Sequence, residues 1–361
     1  MTLKRRPHVR AAAGVLAALL LALAGCGVGS EPSAPPEITG LEQHQATFLE
    51  LFDTLTYVVG YSETVDEFSA AVSVFRDEML EYHQLYDIYN EYDGMNNLKT
   101  VNDSAGGEPV EVDQRIIDLL LFCREMYEAT EGRTNVMMGS VLRLWHNARE
   151  YSINNPAEAY LPDEAELRAA NEHTAFDALV IDDEANTVQI TDPEASLDVG
   201  AVAKGYAVQR VCENCLPDGY TVSVGGNVCS MSTKPNGADW IAGIQNPNGE
   251  ASDYLARVHI GANSIVSSGS YQRRFTVDGV SYGHIIDPST LYPPTYWADV
   301  TIIYPDSGIA DALSTALFTL DRESGEALLE KFPGAEALWA GTDGSVEYTP
   351  GFEDYIYDTS D

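Results

Sequence analysis

Residues 220–232 read "YTVSVGGNVCSMS", and this stretch, together with the segments downstream of it, decides the fold. Tyr, Thr and Val crowd the stretch, as they do in a β-strand. The next segments are "DWIAGIQNP" (239–247), "ARVHIGANSIVSSG" (256–269), "RRFTVDGVSYGHII" (273–286) and "ADVTIIYP" (298–305), and they read as strands too. No helical pattern interrupts them. Strands that succeed one another without a crossover helix pair antiparallel. Helical patterns lie in blocks outside this run. The expectation is therefore an α+β body rather than a doubly wound α/β sheet.

Working outward, residues 63–90 place Phe68, Val72, Phe75, Met79, Tyr82 and Leu85 at helical spacing, which predicts a long amphipathic helix. A second helix spans 113–132, closed by Gly132. A third covers 202–215 and a fourth 308–332. Residues 178–191 read strand, acidic turn, strand, and 336–349 read as a closing hairpin. The stretch 45–62 begins helical or irregular and ends as a strand. Residues 92–102, "YDGMNNLKTVN", read as a loop. No internal repeat is present.

The N-terminus carries Lys4, Arg5, Arg6 and Arg10 before an apolar run over 11–24. That run is too short to span a bilayer and has the layout of a signal peptide. Its end, "LAGC" (23–26), resembles the lipobox of bacterial lipoproteins, in which the cysteine is lipid-modified. The expected organisation is a signal peptide over 1–25, a lipidated Gly/Ser/Pro-rich tether over 26–40 with the lipid on Cys26, and a folded domain over 41–361. The expected location is the extracytoplasmic face of the cell membrane.

The chain holds 56 acidic against 20 basic residues, a net charge of −36. Such a surface repels nucleic acid, so no nucleic-acid partner is expected. An anionic ligand would need local basic groups or a metal ion. Four cysteines lie beyond Cys26: Cys123, Cys212, Cys215 and Cys229. "CENC" (212–215) has C-x-x-C spacing, but no second pair accompanies it as a zinc site would require. Packing thiols and an incidental disulfide both remain open.

Several short motifs could carry chemistry. In "SLDVGAVAKGYAVQRV" (196–211), small residues lead from Asp198 into a helix start that bears Lys204. A helix N-terminus favours anions, and a lysine there suits a phosphate; a solvated surface lysine is the other reading. "SVGGNV" (223–228) puts Gly225 and Gly226 inside a strand pattern, marking a bulge or a close approach of a ligand. In "SSGSYQRRF" (267–275), strand alternation lets at most one of Arg273 and Arg274 face a site. In "YGHIIDPSTLYP" (282–293), His284 precedes a proline-stiffened turn, a position suited to a general base or to a structural histidine. In "ADALSTALFTL" (310–320), Asp311 and Thr315 share a helix face and could offer oxygen ligands to a hard cation; Asp311 could equally satisfy the first turn of the helix.

The order and spacing of these pieces resemble the ApbE family, the FAD:protein FMN transferases. The resemblance covers most of residues 45–357 and is densest over 198–320. It implies an α+β body related to the T-fold, with antiparallel sheets, flanking helices and an FAD cleft between them. It implies Mg²⁺ bridging protein and the FAD pyrophosphate. A threonine or serine hydroxyl of a target protein then attacks the phosphorus of the FMN half, and AMP leaves. Carried over residue by residue, Asp311 and Thr315 match the metal-binding side chains, and Ala201 matches the position giving a backbone carbonyl. His284 matches the histidine that activates the acceptor hydroxyl. Asp198, Lys204, Gly225, Gly226 and Ile285 match cofactor-contacting positions, and Ser268 and Gly269 of "SSGSYQRRF" join them.

Phe52 stands where the family often has methionine. "DGMNNLKTVN" (93–102) matches a segment that usually carries Ser and an acid before Leu; here Asn96 and Asn97 precede Leu98. Thr134 and Asn135 stand where Phe-Asp is usual. Asn97, Leu98, Thr134 and Asn135 are thereby expected on the flavin side of the cleft, where these departures bear on selectivity. The implied partners are FAD, extracytoplasmic flavin-acceptor proteins (subunits of membrane redox complexes are candidates) and the membrane, through the N-terminal lipid. Two other functions fit the same residues: hydrolysis of FAD to FMN and AMP, and non-catalytic flavin binding by a lipoprotein.

Overall fold

The computed structural model describes residues 36–357 apart from 53, 251, 252 and 272. The stretch expected to be a signal peptide, most of the expected tether and Cys26 lie outside the described residues.

The centre is an eight-stranded sheet. Its strands run, in spatial order, Glu42–Leu51, Thr54–Ser62, Tyr220–Val224, Asn227–Ser230, Ser264–Gly269, Trp297–Tyr304, Glu336–Gly341 and Val346–Tyr348. Every neighbouring pair is antiparallel. Four strands of the run 220–304 thus build the middle of an antiparallel sheet, the others pair as two separate hairpins, and the α+β expectation holds.

Both faces of the sheet are covered, and the period of two decides which side chain goes where. Val58, Val266 and Ile302 join the core under the helices Val65–Tyr86, Ala203–Cys215 and Ser307–Phe318. Their sequence neighbours Val59, Ile265 and Ile303 point the other way. There they meet Trp240, Ile244 and Val258 of the hairpin Trp240–Gln245/Tyr254–Ile260. Burial on both faces explains why the neighbours Ile302 and Ile303 are both apolar instead of alternating with polar residues.

A second block stands against this layer. The helix Gly139–Asn154 supplies Val141, Trp145 and Ala148. They pack on Phe275 and Val277 of the hairpin Phe275–Val277/Val280–Tyr282, and on Ile286 and Leu291. Trp145 Nε1 donates to the Leu291 carbonyl at 2.9 Å and pins the turn after the hairpin.

Four local expectations need correction. The first half of 45–62 is strand, not helix: Ala46 and Phe48 alternate with Gln45 and Thr47 and pack one way onto the core. The loop at 92–102 contains the short helix Leu98–Asp103, nucleated by a capping box between Asn97 and Thr100. The helix expected over 308–332 is two, Ser307–Phe318 and Arg322–Leu329, because Asp321 caps a new start by accepting from Ser324 N. Two further helices are absent from the expectation: Gly139–Asn154, and Glu164–Asn171, whose start Asp163 caps.

Candidate active site

A cleft of about 420 Å³ opens between the sheet-and-helix layer and the second block. The helices Ala203–Cys215 and Ser307–Phe318 cross at Gly205. A Cβ built there would lie 2.3 Å from the Ser307 carbonyl and 2.5 Å from Asp311 Cβ, so only glycine permits the crossing. The close approach lets Gly205 N donate to Asp311 Oδ2 at 2.7 Å. The Ala203–Cys215 helix has no side-chain cap of its own, so Asp311 satisfies one of its free first-turn N–H groups. Asp311 is 4% exposed. Lys204 Nζ stands 3.6 Å from its Oδ1 and also donates to Asn227 Oδ1. Burial pulls the Lys204 ammonium below its ordinary value, and Asp311 acts against that pull. One turn on from Asp311, Thr315 Oγ1 lies 3.4 Å from Ser268 Oγ, which also meets Ser314 Oγ at 2.8 Å. Ala201 lines the same wall. Asp311, Thr315, Ser268 and Ala201 thus bring a carboxylate, hydroxyls and a backbone segment to one place.

Asp198 faces the cleft with Oδ1 accepting from Gly200 N at 2.9 Å. Burial raises its carboxyl, while His146, Arg149 and Arg273 oppose that rise. Arg149 Nη2 contacts His146 Nδ1 at 3.2 Å, and Tyr89 stacks on the His146 ring with centroids 5.4 Å apart. Arg133, Arg149, Lys204 and Arg273 all line the cleft. In a chain of net charge −36, this concentration makes the cleft the place where an anion can enter.

His284 comes after the hairpin Phe275–Val277/Val280–Tyr282 and lines the same cleft. The turn beyond it is held by Leu291 N donating to the Asp287 carbonyl at 2.8 Å and by Arg133 Nη1 at 3.0 Å from Asp287 Oδ1. His284 Nδ1 is buried without a hydrogen-bond partner. Burial, and after it the charges of Arg273, Arg149 and Lys204, pushes the imidazole down to about 3. The ring is therefore neutral at physiological pH and can accept a proton. Negative charge brought into the cleft would offset those cations and strengthen it as a base.

Most of the expected residues converge here. Phe52, Thr134, Asn135, Asp198, Ala201, Lys204, Gly225, Ser268, Gly269, His284, Ile285, Asp311 and Thr315 all line the cleft. Phe52 sits in a turn with φ 50° and meets His83 edge-on at 5.4 Å. Gly225 also has positive φ, and a Cβ there would come within 2.6 Å of Thr54. The Thr134 hydroxyl is spent on the Ala312 carbonyl at 2.9 Å, and the Asn135 amide on the Thr174 carbonyl at 3.0 Å. These two build the wall with their polar ends turned into the protein.

Three expected residues lie outside the cleft wall. Asn97 is wholly buried; it caps Leu98–Asp103 and its Nδ2 donates to the carbonyls of Gln84 and Asn90 at 3.0 and 2.8 Å. Leu98 is a core residue at 0% exposure. Gly226, at φ 96°, turns the chain behind Gly225 and has nothing within 4 Å of a built Cβ. Among the lining residues that the sequence did not single out are Tyr89, His146 and Arg149. Of the Arg273–Arg274 pair, only Arg273 lines the cleft, although both precede the strand that begins at Phe275 and strand alternation does not decide it. The "CENC" cysteines end the Ala203–Cys215 helix as free thiols. Among the described residues no group of three or more His, Cys, Asp or Glu side chains could hold a metal. A smaller hollow of about 270 Å³ beside Arg168 and Tyr292 shows no comparable convergence.

Comparison with known proteins agrees with this architecture. The chain is 32% identical over 276 residues to an FAD:protein FMN transferase of Treponema pallidum, covering 72% of this chain and 74% of that one. It is 29% identical over 244 residues to an FAD:protein FMN transferase of Klebsiella pneumoniae, covering 66% and 73%. Among solved structures, the ApbE protein of Thermotoga maritima superimposes with a TM-score of 0.77 at 27% identity, over 88% of this chain and all of that one. The flavin transferase ApbE of Vibrio cholerae superimposes at 0.72 and 23% identity, over 87% and 99%, a likeness of fold. The ApbE family model matches residues 53–339, and the chain belongs to the ApbE family.

Proposed function

We propose that this protein is an FAD:protein FMN transferase. It moves FMN from FAD onto a hydroxyl of a target protein and releases AMP. The observation that carries the reading is a single cleft, in a member of this family, lined by Asp311, Thr315, four basic side chains and the neutral imidazole of His284.

The residues present fit a hard divalent cation such as Mg²⁺. Asp311 Oδ1, the Thr315 hydroxyl and the Ala201 carbonyl would hold it, and oxygen ligands are what such an ion prefers. They are too few to fill its shell, so FAD phosphate oxygens and water would complete it. Bound there, the ion would stabilise the charge that develops on the pyrophosphate as it is cleaved.

The chain's own residues account for the rest. Lys204, Arg149 and Arg273 neutralise and orient the pyrophosphate. Gly225 lets the backbone lie close to the flavin. His284 takes the proton of the acceptor hydroxyl as its oxygen bonds to the FMN phosphorus. The bond from that phosphorus to the AMP oxygen breaks, and AMP carries away the electron pair. A threonine or serine acceptor supplies the hydroxyl. The "LAGC" step at Cys26 supports a lipid-anchored location on the extracytoplasmic membrane face, with acceptors on that side.

The test is incubation with FAD, Mg²⁺ and a flavoprotein acceptor fragment, then gel fluorescence. Asp311→Ala abolishes the fluorescent acceptor band, and His284→Ala slows its appearance while FAD binding persists. Full activity of Asp311→Ala refutes the metal assignment, and an unfolded His284→Ala makes that histidine structural.

A further inference from the structure

Asn227 takes no part in the chemistry above, yet it is wholly buried beside it. Its Oδ1 accepts from Lys204 Nζ, and its Nδ2 has no partner. Lys204 is therefore held at 3.6 Å from Asp311 Oδ1. Asp311 Oδ2 is already taken by Gly205 N. The one carboxylate oxygen left for a metal is thus covered by an ammonium.

We propose that Asn227 is a positioning residue that keeps Lys204 against Asp311, so that divalent metal binds tightly only when the FAD pyrophosphate is present. The inference rests on the reading of Asp311 as a metal ligand. Thr315 and the Ala201 carbonyl are neutral donors. The only formal charge of the donor set is that of Asp311, and Lys204 cancels it. A dication at Oδ1 would also feel the nearby ammonium, a repulsion on the order of thirtyfold in affinity even with water-like screening. The pyrophosphate brings about two negative charges, draws Lys204 toward itself and restores attraction for the metal. Empty protein would otherwise hold metal and lysine in conflict.

The experiment is titration of the folded full chain with Mn²⁺, read by electron paramagnetic resonance, with and without FAD and with FAD alone as control. Wild type binds Mn²⁺ weakly alone and at least about tenfold more tightly with FAD. Lys204→Met without FAD binds about thirtyfold more tightly than wild type. Asn227→Ala shifts several-fold in the same direction. A merely structural defect would weaken binding instead, and Lys204→Gln replaces Lys204→Met if the latter does not fold. If folded Asn227→Ala, or the Lys204 variant, does not tighten Mn²⁺ while wild type with FAD still binds it, the proposal is overturned and the metal assignment stands. If wild type with FAD binds no Mn²⁺ beyond the FAD control, both fall.

Discussion

Gly205→Ala tests the crossing on which the site is built. The added Cβ would fall 2.3 Å from the Ser307 carbonyl, 2.5 Å from Asp311 Cβ and 3.0 Å from Asp311 Oδ2. Two of these contacts are to backbone or to a Cβ, which cannot rotate away. Overpacking of this kind costs about 1–3 kcal/mol. Separation of the helices also weakens the 2.7 Å hydrogen bond from Gly205 N to Asp311, which, as a bond to a charged group, contributes about 1.5–3 kcal/mol. Helix propensity works the other way, since alanine in a helix interior gains about 1 kcal/mol over glycine. The net expectation is a loss of roughly 3 kcal/mol, or about 4–5 °C in Tm for a domain of this size. Calorimetry and urea unfolding read the stability, and FAD-dependent turnover at varied Mg²⁺ reads the displaced Asp311. A variant that melts with the wild type and keeps its Mg²⁺ dependence would refute the reasoning.

The same geometry yields other predictions. Gly325→Ala is the opposite case: its Cβ would meet Trp339 at 3.4 Å, an ordinary contact in a helix, so it should stabilise by about 0.5–1 kcal/mol, and a loss above about 1 kcal/mol would contradict that. His284 is pushed from 6.5 to about 3 in the folded chain. Between those values the unfolded chain holds a proton that the native one does not, so this contribution to stability is full above the unfolded value and falls as pH drops. Wild type should therefore lose about 1.4 kcal/mol more than His284→Gln between about pH 7.5 and 5.5 in urea unfolding, and parallel profiles would refute the buried neutral imidazole. Asn97→Ala removes a cap and the donor to the Gln84 and Asn90 carbonyls, so it should cost about 2–3 kcal/mol of stability. FAD affinity should stay within about twofold, measured by flavin fluorescence; a large loss of affinity without loss of stability would return Asn97 to the cofactor.

Legibility of the fold and the site in the sequence depends on whether the signal is local. The long helix is legible because Phe68, Val72, Phe75 and Met79 keep the helical period and all are buried. Asp311 and Thr315 are legible because four residues on a helix is one face. The Gly139–Asn154 helix is less so: no side chain caps its start, and among its buried positions only Val141 and Trp145 are large and apolar. Arg149 and His146 stay hidden with it. Asn97 misleads because its partners come from residues 84 and 90, contacts that only the fold brings together. Gly205 looks like any small residue after Lys204. Its necessity arises from a second helix more than a hundred positions away.

The most direct test of the central claim is intact-mass analysis of a folded acceptor protein after incubation with the enzyme, FAD and Mg²⁺, with AMP measured in the same reaction. The account predicts one FMN added to the acceptor for each AMP released, on a hydroxyl side chain, and neither product from Asp311→Ala. AMP accompanied by free FMN and an unmodified acceptor would contradict it.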